Sequence, residues 1–306
     1  MIALTKKSRM KRLISRYLLA TTVIGNMTLF FLARKFGWNL ELAVLLGALG
    51  SFAAAWGLER VLPHERRWLG KGADIAVDLT SAVVVVAIVD PLLKFAGPVL
   101  AVAVWRMFGG GSALADWLAA QAFVPQLLAV VMLSELGRYW AHRWHHTLGW
   151  LWKLHALHHS SERLYALNNF RFHPLNYLNN FLLGVFPLML LGVPADVMLG
   201  YLALSQPVLM LQHANLDLRS GWLNYVFSTN EVHRWHHSST PSEANRNYGY
   251  ALVLWDHVFG TFHYLPCDNA PRRIGLFAES SDYPVSGSYL TQLTQAFKPG
   301  CCRLYG

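Results

Sequence analysis

Four apolar runs dominate the first half of the chain, at about residues 17–33, 41–58, 76–97 and 121–140. Each approaches the roughly 20 residues that a helix needs to cross a bilayer, so the pattern predicts about four transmembrane helices. The third is the least regular. The largely apolar stretch 75–105 contains Asp78, Asp90-Pro91, Lys94 and Gly97-Pro98, and predicts either a kinked helix or a helix followed by a short interfacial piece. A glycine-rich turn at 109–112 precedes the fourth run. A fifth run, at about 180–212, is interrupted by Pro187, Pro194, Asp196 and Pro207, and predicts a helical hairpin that dips into the membrane.

Composition agrees with this patterning. The 306 residues are 54% hydrophobic and 14% charged, with a mean hydropathy of +0.29, which is unusual for a soluble domain. The expected architecture is all-α: a polytopic membrane protein with about four transmembrane helices, a membrane hairpin and a cytoplasmic His-rich helical cap. Its expected regions are an N-terminal transmembrane part (1–120), a catalytic part (121–265) and a C-terminal cytoplasmic tail (266–306).

Charge sets the orientation. The opening "MIALTKKSRMKRLISR" carries six Lys or Arg and no cleavage site follows at a convincing distance, which predicts an uncleaved anchor with a cytoplasmic N-terminus. Arg34 and Lys35 then fall outside, and Arg60, Arg66, Arg67 and Lys71 inside. If the source is bacterial, the membrane is the inner or plasma membrane. A net charge of +9 is explained by topology and by anionic lipid, and no nucleic-acid partner is expected. Cys267, Cys301 and Cys302 have no spacing that marks a disulfide framework or a zinc ribbon.

Chemistry concentrates in the histidines: 12 of the 14 lie between residues 142 and 257. His142 and His146, four apart, face the same way if the fourth helix continues. His155, His158 and His159 gather on one helical stripe, and His233, His236 and His237 repeat that spacing. His213 ends the fifth apolar run. Neutral imidazole is the commonest protein metal ligand and is costly in an apolar setting unless both nitrogens are satisfied. Nine candidates are too many for one ion and supply two ions with four or five ligands each, leaving open positions. Ligand softness alone allows iron, zinc, copper or nickel.

Several other polar residues stand near these clusters. Glu135 precedes His142 by one or two turns and either orients a histidine or pairs with Arg138 at the headgroup level. His173, Asn247 and Asp256 are candidates to hold ligand rings by hydrogen bonds. His145 is expected to be a spare beside His146, His64 a solvated loop residue, and His257 and His263 structural or functional with equal weight. Trp144, Trp152 and Trp235 are expected to pack around the site or at the interface.

Together these residues resemble the fatty acid hydroxylase and sterol desaturase superfamily. "HRWHHTLGWLWKLHALHHSS", "RFHPLN", "HANLD", "NEVHRWHHSS", "NRNYG" and "LWDHVFGTF" follow in that family's order over about residues 120–263. The resemblance implies a non-haem site of two iron ions that activates O2 to hydroxylate an unactivated carbon of a lipid, or to desaturate it. The ligands it implies are His142, His146, His155, His158, His159, His213, His233, His236 and His237. The chain departs from the family at two places: Thr147 stands where some members have an acidic residue, and Leu209 lies near a further His of others.

No flavin, nicotinamide or C-x-x-C-H haem motif is present, so electrons are expected from a separate protein such as a ferredoxin or cytochrome. The lipid is expected to enter from the bilayer; a sterol or a fatty acyl chain both fit. A transition-metal transporter is the competing class, but it would place its histidines along a mid-membrane path, whereas these lie at span ends. The pentapeptide HRWHH occurs twice, at 142–146 and 233–237. The flanks differ, which argues against duplication and for two solutions to one requirement.

Overall fold

The computed structural model describes residues 2–70, 72, 74–108, 113–266 and 270–302. Helix α1 (Ile2–Phe36) turns at Gly37, whose φ of 69° suits glycine, into α2 (Leu40–Leu58). The Asn39 side chain caps α2 by accepting the Leu42 N–H at 2.7 Å. The third apolar run is one continuous helix, α3 (Asp74–Phe108). It loosens into a π turn at Val83–Val89, immediately before Pro91, and holds Pro98 inside its second half. Proline has no N–H to give, so the irregularity falls where the ladder is weakest. Of the two forms the sequence allowed for this run, the bent helix is the one present. The turn expected at 109–112, Lys71 and Cys267 lie outside the described residues.

Helix α4 (Phe123–Thr147) breaks at Leu148 and continues as α5 (Gly149–His159). The interrupted fifth run folds as α6 (Pro174–Gly184), a short turn of helix Phe186–Leu190, a bend at Gly192 with φ 67°, and α7 (Ala195–Gln212); α6 and α7 each pack on α4. Helices α4 and α6 approach so closely that a Cβ on Gly137 would collide with the Leu183 carbonyl. Ser134 Oγ donates to the Gly184 carbonyl across the same contact at 2.8 Å. The short α8 (Asn230–His236) carries the last cluster, with Thr229 as its cap. The described residues contain no strand, only isolated bridges at Phe227–Leu252 and Ser238–Ile274.

Three helical stretches are long and apolar enough to cross a membrane: Arg9–Phe36, Leu40–Leu58 and Asp74–Phe108. The sequence reading counted a fourth at 121–140. That stretch is helical as α4, but Glu135 and Arg138 lie in it, both buried; of its apolar residues Leu127, Val130 and Val131 face the interior, while Val124, Leu128 and Met132 are exposed. On α3, by contrast, Leu92, Phe95, Val99 and Phe108 are 60–79% exposed. A succession of exposed large apolar side chains is what lipid contact requires and water does not tolerate.

The histidine-rich layer sits at one end of this bundle. The start of α1 and the end of α2 reach it: the Arg219 N–H donates to the Ser15 carbonyl at 2.9 Å. Glu59 Oε1 accepts from the N–H groups of Ala166 and Asn215 at 2.6 and 2.8 Å. Residues 270–302 pack back onto α5: Trp152 stacks on Phe277 with ring centroids 4.7 Å apart, and its Nε1–H donates to Ser280 Oγ at 3.0 Å. Cys301 and Cys302, which the sequence left unpaired, are joined to each other.

Candidate metal centre

The nine histidines singled out in the sequence converge into two groups, each with its ligand atoms within 4.8 Å of one another. His142, His146, His155, His159 and His236 form the first, and His158, His213, His233 and His237 the second. Eight of the nine are buried and His142 is half-buried.

The division cuts across the sequence motifs. In 155–159, His155 and His159 join the first group and His158 the second; in 233–237, His233 and His237 join the second group and His236 the first. In each case the pair four apart stays together and the middle residue crosses over. Helix geometry gives the reason: i and i+4 lie about 40° apart around the axis, whereas i+3 falls on the other side of i. A stripe of three imidazoles therefore straddles two sites, correcting the expectation of one stripe facing one way.

Ring orientation is set by acceptors on the Nδ1 side. The carbonyls of Tyr248, Arg171 and Arg246 stand 3.0, 3.1 and 2.9 Å from Nδ1 of His142, His158 and His236. A carbonyl only accepts, so each Nδ1 carries the proton and each Nε2 is left as a bare lone pair. The side-chain oxygens of Asn245 and Asn176 accept likewise from His146 and His155 at 3.1 and 2.7 Å. His142 Nε2 and His155 Nε2 nevertheless lie 3.2 Å apart. His146 Nε2 and His236 Nε2 are buried without any hydrogen-bond partner. Lone pairs facing each other in a buried space repel unless a cation stands between them, and an all-imidazole donor set suits a divalent transition metal. In the second group Nε2 of His213 and of His237 lie 2.9 and 3.0 Å from His233 Nε2.

Electrostatics favours the ligating form. Burial is the largest influence on His155, His158, His159, His233, His236 and His237 and holds each well below the usual imidazole range. All are neutral at physiological pH, as metal binding demands.

The other polar candidates take varied places. Asp256 is buried and accepts the N–H groups of Tyr248 and Gly249, each at 2.8 Å, and the Thr261 hydroxyl at 2.7 Å; burial pushes its carboxyl up to about 6. It grips the segment whose Tyr248 carbonyl orients His142. Asn247, at φ 56°, pairs with both backbone groups of His263 and donates to the Val232 carbonyl. It shapes the turn between the two orienting carbonyls.

Glu135 lies deeper in α4, accepting from the Tyr201 hydroxyl and from the N–H groups of Ala251 and Leu252. It forms no ion pair with Arg138. His173 caps α6 through Leu175 N–H at 3.1 Å. His145 Nδ1 meets the Ala141 carbonyl at 2.6 Å, and the residue belongs to neither group. His64 is partly buried rather than solvated, and burial lowers it to about 3.

Sequence reasoning missed Arg171, Asn176, Asn245, Arg246 and Tyr248. Three of these act through main-chain carbonyls, which no side-chain pattern reveals. Asn176 and Asn245 lie in "RFHPLN" and "NRNYG", so motif membership was the available signal.

A family profile described as fatty acid hydroxylase matches residues 127–261. The ornithine lipid hydroxylase OlsE of Rhizobium tropici is 35% identical over 253 residues, covering 78% of this chain and 71% of that protein. Alkylglycerol monooxygenases are also similar: that of Danio rerio is 33% identical over 128 residues and that of Homo sapiens 28% over 128. In both cases the match spans 42% of this chain and 28% of the relative. No solved structure matches.

Proposed function

This chain belongs to the fatty acid hydroxylase family, and from that premise we propose that it is a membrane-bound diiron oxygenase that hydroxylates an unactivated carbon of a lipid. It is an oxidoreductase, the class to which its named hydroxylase and monooxygenase relatives belong. The observation that carries the reading is the convergence of nine neutral imidazoles into two adjoining groups beside long apolar helices.

In this reading His142, His146, His155, His159 and His236 hold one iron ion, and His158, His213, His233 and His237 the other. When bound, iron supplies the redox chemistry that O2 activation and alkyl C–H cleavage require and that side chains lack. The protein's own share is orientation and exclusion. Carbonyls of Tyr248, Arg246 and Arg171 keep protons on Nδ1 so that Nε2 faces inward. Asp256 and Asn247 keep the 245–248 segment in place, and the packed shell of Trp152, Phe277 and α5 keeps bulk water out.

The catalytic part is 121–265, on the cytoplasmic side together with the N-terminus. The substrate is a membrane lipid, in keeping with relatives named for ornithine lipid and alkylglycerol. Electrons come from a separate ferredoxin or cytochrome, steered by the basic cytoplasmic face.

Comparative lipid mass spectrometry of cells with and without the gene tests the reaction. A gene-dependent lipid heavier by one oxygen supports hydroxylation; one lighter by two hydrogens replaces it with desaturation. Purified chain holding about two iron atoms without haem absorption supports the site. Bound zinc with no O2-dependent product under any donor overturns the proposal.

A further inference from the structure

Helix α4 carries a buried cation with no direct carboxylate partner; Glu135, three residues earlier, acts on it only through space. Arg138 stands one helical turn, about 6 Å along the axis, before His142, within the apolar run. It is 8% exposed. Its guanidinium lies over the Tyr250 ring, 4.0 Å from the centroid, and its Nε has no hydrogen-bond partner.

The neighbouring acid is already committed. One oxygen of Glu135 takes the Tyr201 hydroxyl at 2.8 Å, and the other takes the N–H groups of Ala251 and Leu252 at 3.0 and 2.9 Å. The next acid along this polar layer, Asp90, is bound by the Tyr177 hydroxyl and by Lys94 at 2.8 and 2.7 Å. Among the described residues no carboxylate forms an ion pair with Arg138.

A guanidinium offers five N–H donors in its plane. An aromatic face attracts the charge but accepts none of those donors. The stem is held firmly, because Gly184 lacks the Cβ that would strike Arg138 Cγ. Two more buried donors without partners, Asn176 Nδ2 and Asn179 Nδ2, lie on α6, the helix packed against α4. Histidines aside, the buried side-chain groups of α4 and α6 that lack partners are all donors, and an acceptor-rich ligand is what complements them. Arginine's planar fork matches a carboxylate or a phosphate with two parallel bonds.

We propose that Arg138 binds the oxyanion of an anionic lipid substrate, a carboxylate or a phosphate, and so positions that lipid beside the histidine layer. This rests on the lipid-oxidising reading above and narrows its substrate class. Arg138 is a positioning residue in this scheme.

The test measures binding without turnover. The protein in dodecyl maltoside micelles, which carry no oxyanion, is titrated with phosphatidic acid against diacylglycerol of the same chains, and with palmitate against palmityl alcohol. Native protein should prefer the charged member of at least one pair by about tenfold or more. Preference in the first pair alone assigns a phosphate headgroup, in the second alone a free acid, and in both a general oxyanion site.

R138Q should abolish the preference at unchanged metal content, and R138K, which keeps the charge but loses the fork, should retain part of it. Equal binding of charged and uncharged lipids by the native protein overturns the proposal, as does a preference that survives in R138Q. If R138Q fails to fold, R138K decides: an undiminished preference there overturns it. A protein that shows the preference and binds zinc without any product refutes the oxygenase reading while leaving the anion site standing.

Discussion

The main-chain carbonyl of Tyr248 accepts the Nδ1–H of His142 at 3.0 Å across 106 residues of sequence. Two residues earlier the Arg246 carbonyl does the same for His236, and the Asn245 side chain for His146. One four-residue segment thus orients three of the five imidazoles of the first group.

Asp256 should be the anchor of that segment. Asp256→Asn replaces one of the oxygens that accept the Tyr248 and Gly249 N–H groups with a donor, turning an attraction into a clash. Polar partners of metal-binding histidines typically change affinity by about 10–100-fold, and a loss of that size is expected when metal content is followed under a chelator. Retention equal to the native protein would remove Asp256 from this role.

His145 should behave unlike its neighbours. His155→Ala and His236→Ala are expected to lower iron content and abolish product, because each removes a member of the first group. His145→Asn should keep metal, since His145 stands outside both groups with its Nδ1 tied to Ala141. Full activity in either alanine variant, or metal loss in His145→Asn, refutes the assignment.

Arg171 and Asp78 form an ion pair at 2.6 Å with side chains 1% and 0% exposed. The pair ties α3 to the strand of chain whose Arg171 carbonyl orients His158. Removing one partner of a buried pair costs about 3–5 kcal/mol, whereas replacing both by apolar residues of similar size is nearly neutral. Thermal unfolding in detergent should therefore place Asp78→Leu well below the native protein and Asp78→Leu with Arg171→Met much nearer to it. Equal destabilisation of both would show that the pair is not coupled.

His64 sets a pH dependence. Burial lowers its ring from 6.5 to about 3, so on acidification the unfolded chain takes up a proton that the folded chain refuses. Its contribution to stability is complete above about pH 6.5 and declines as pH falls from there toward 3. His64→Gln should flatten the loss of stability over that window relative to the native protein. An identical slope would mean that the ring is not held neutral in the fold.

Much of the metal centre was legible in the sequence. Histidine spacing on helices is local, and the nine residues it selected are the nine that converge. The breaks in the fifth apolar run were legible too, since prolines near 187–194 interrupt it at the place where the helix ends and the chain turns. The fourth apolar run is helical as expected, but Glu135 and Arg138 lie buried within it, and the helices long and apolar enough to cross a membrane among the described residues are three others. Apolar content does not say whether lipid or protein covers a side chain, and α4 has both kinds: Leu127, Val130 and Val131 are buried in the protein while Val124, Leu128 and Met132 are exposed.

The repeated HRWHH shows where the boundary falls. Its residue types and spacing by themselves marked the imidazoles that this protein gathers into groups able to hold a metal ion. Only the tertiary structure decided how they divide. In the first copy His142 and His146 serve one group together, and in the second His236 serves that group while His233 and His237 serve the other. Helical periodicity fixes which side chains share a face, but which site that face meets depends on how α5 and α8 cross. The carbonyls that hold the rings, and the bonds that draw Glu135 away from a direct pair with Arg138, arise from contacts between segments distant in the chain. Such contacts leave no trace in local pattern.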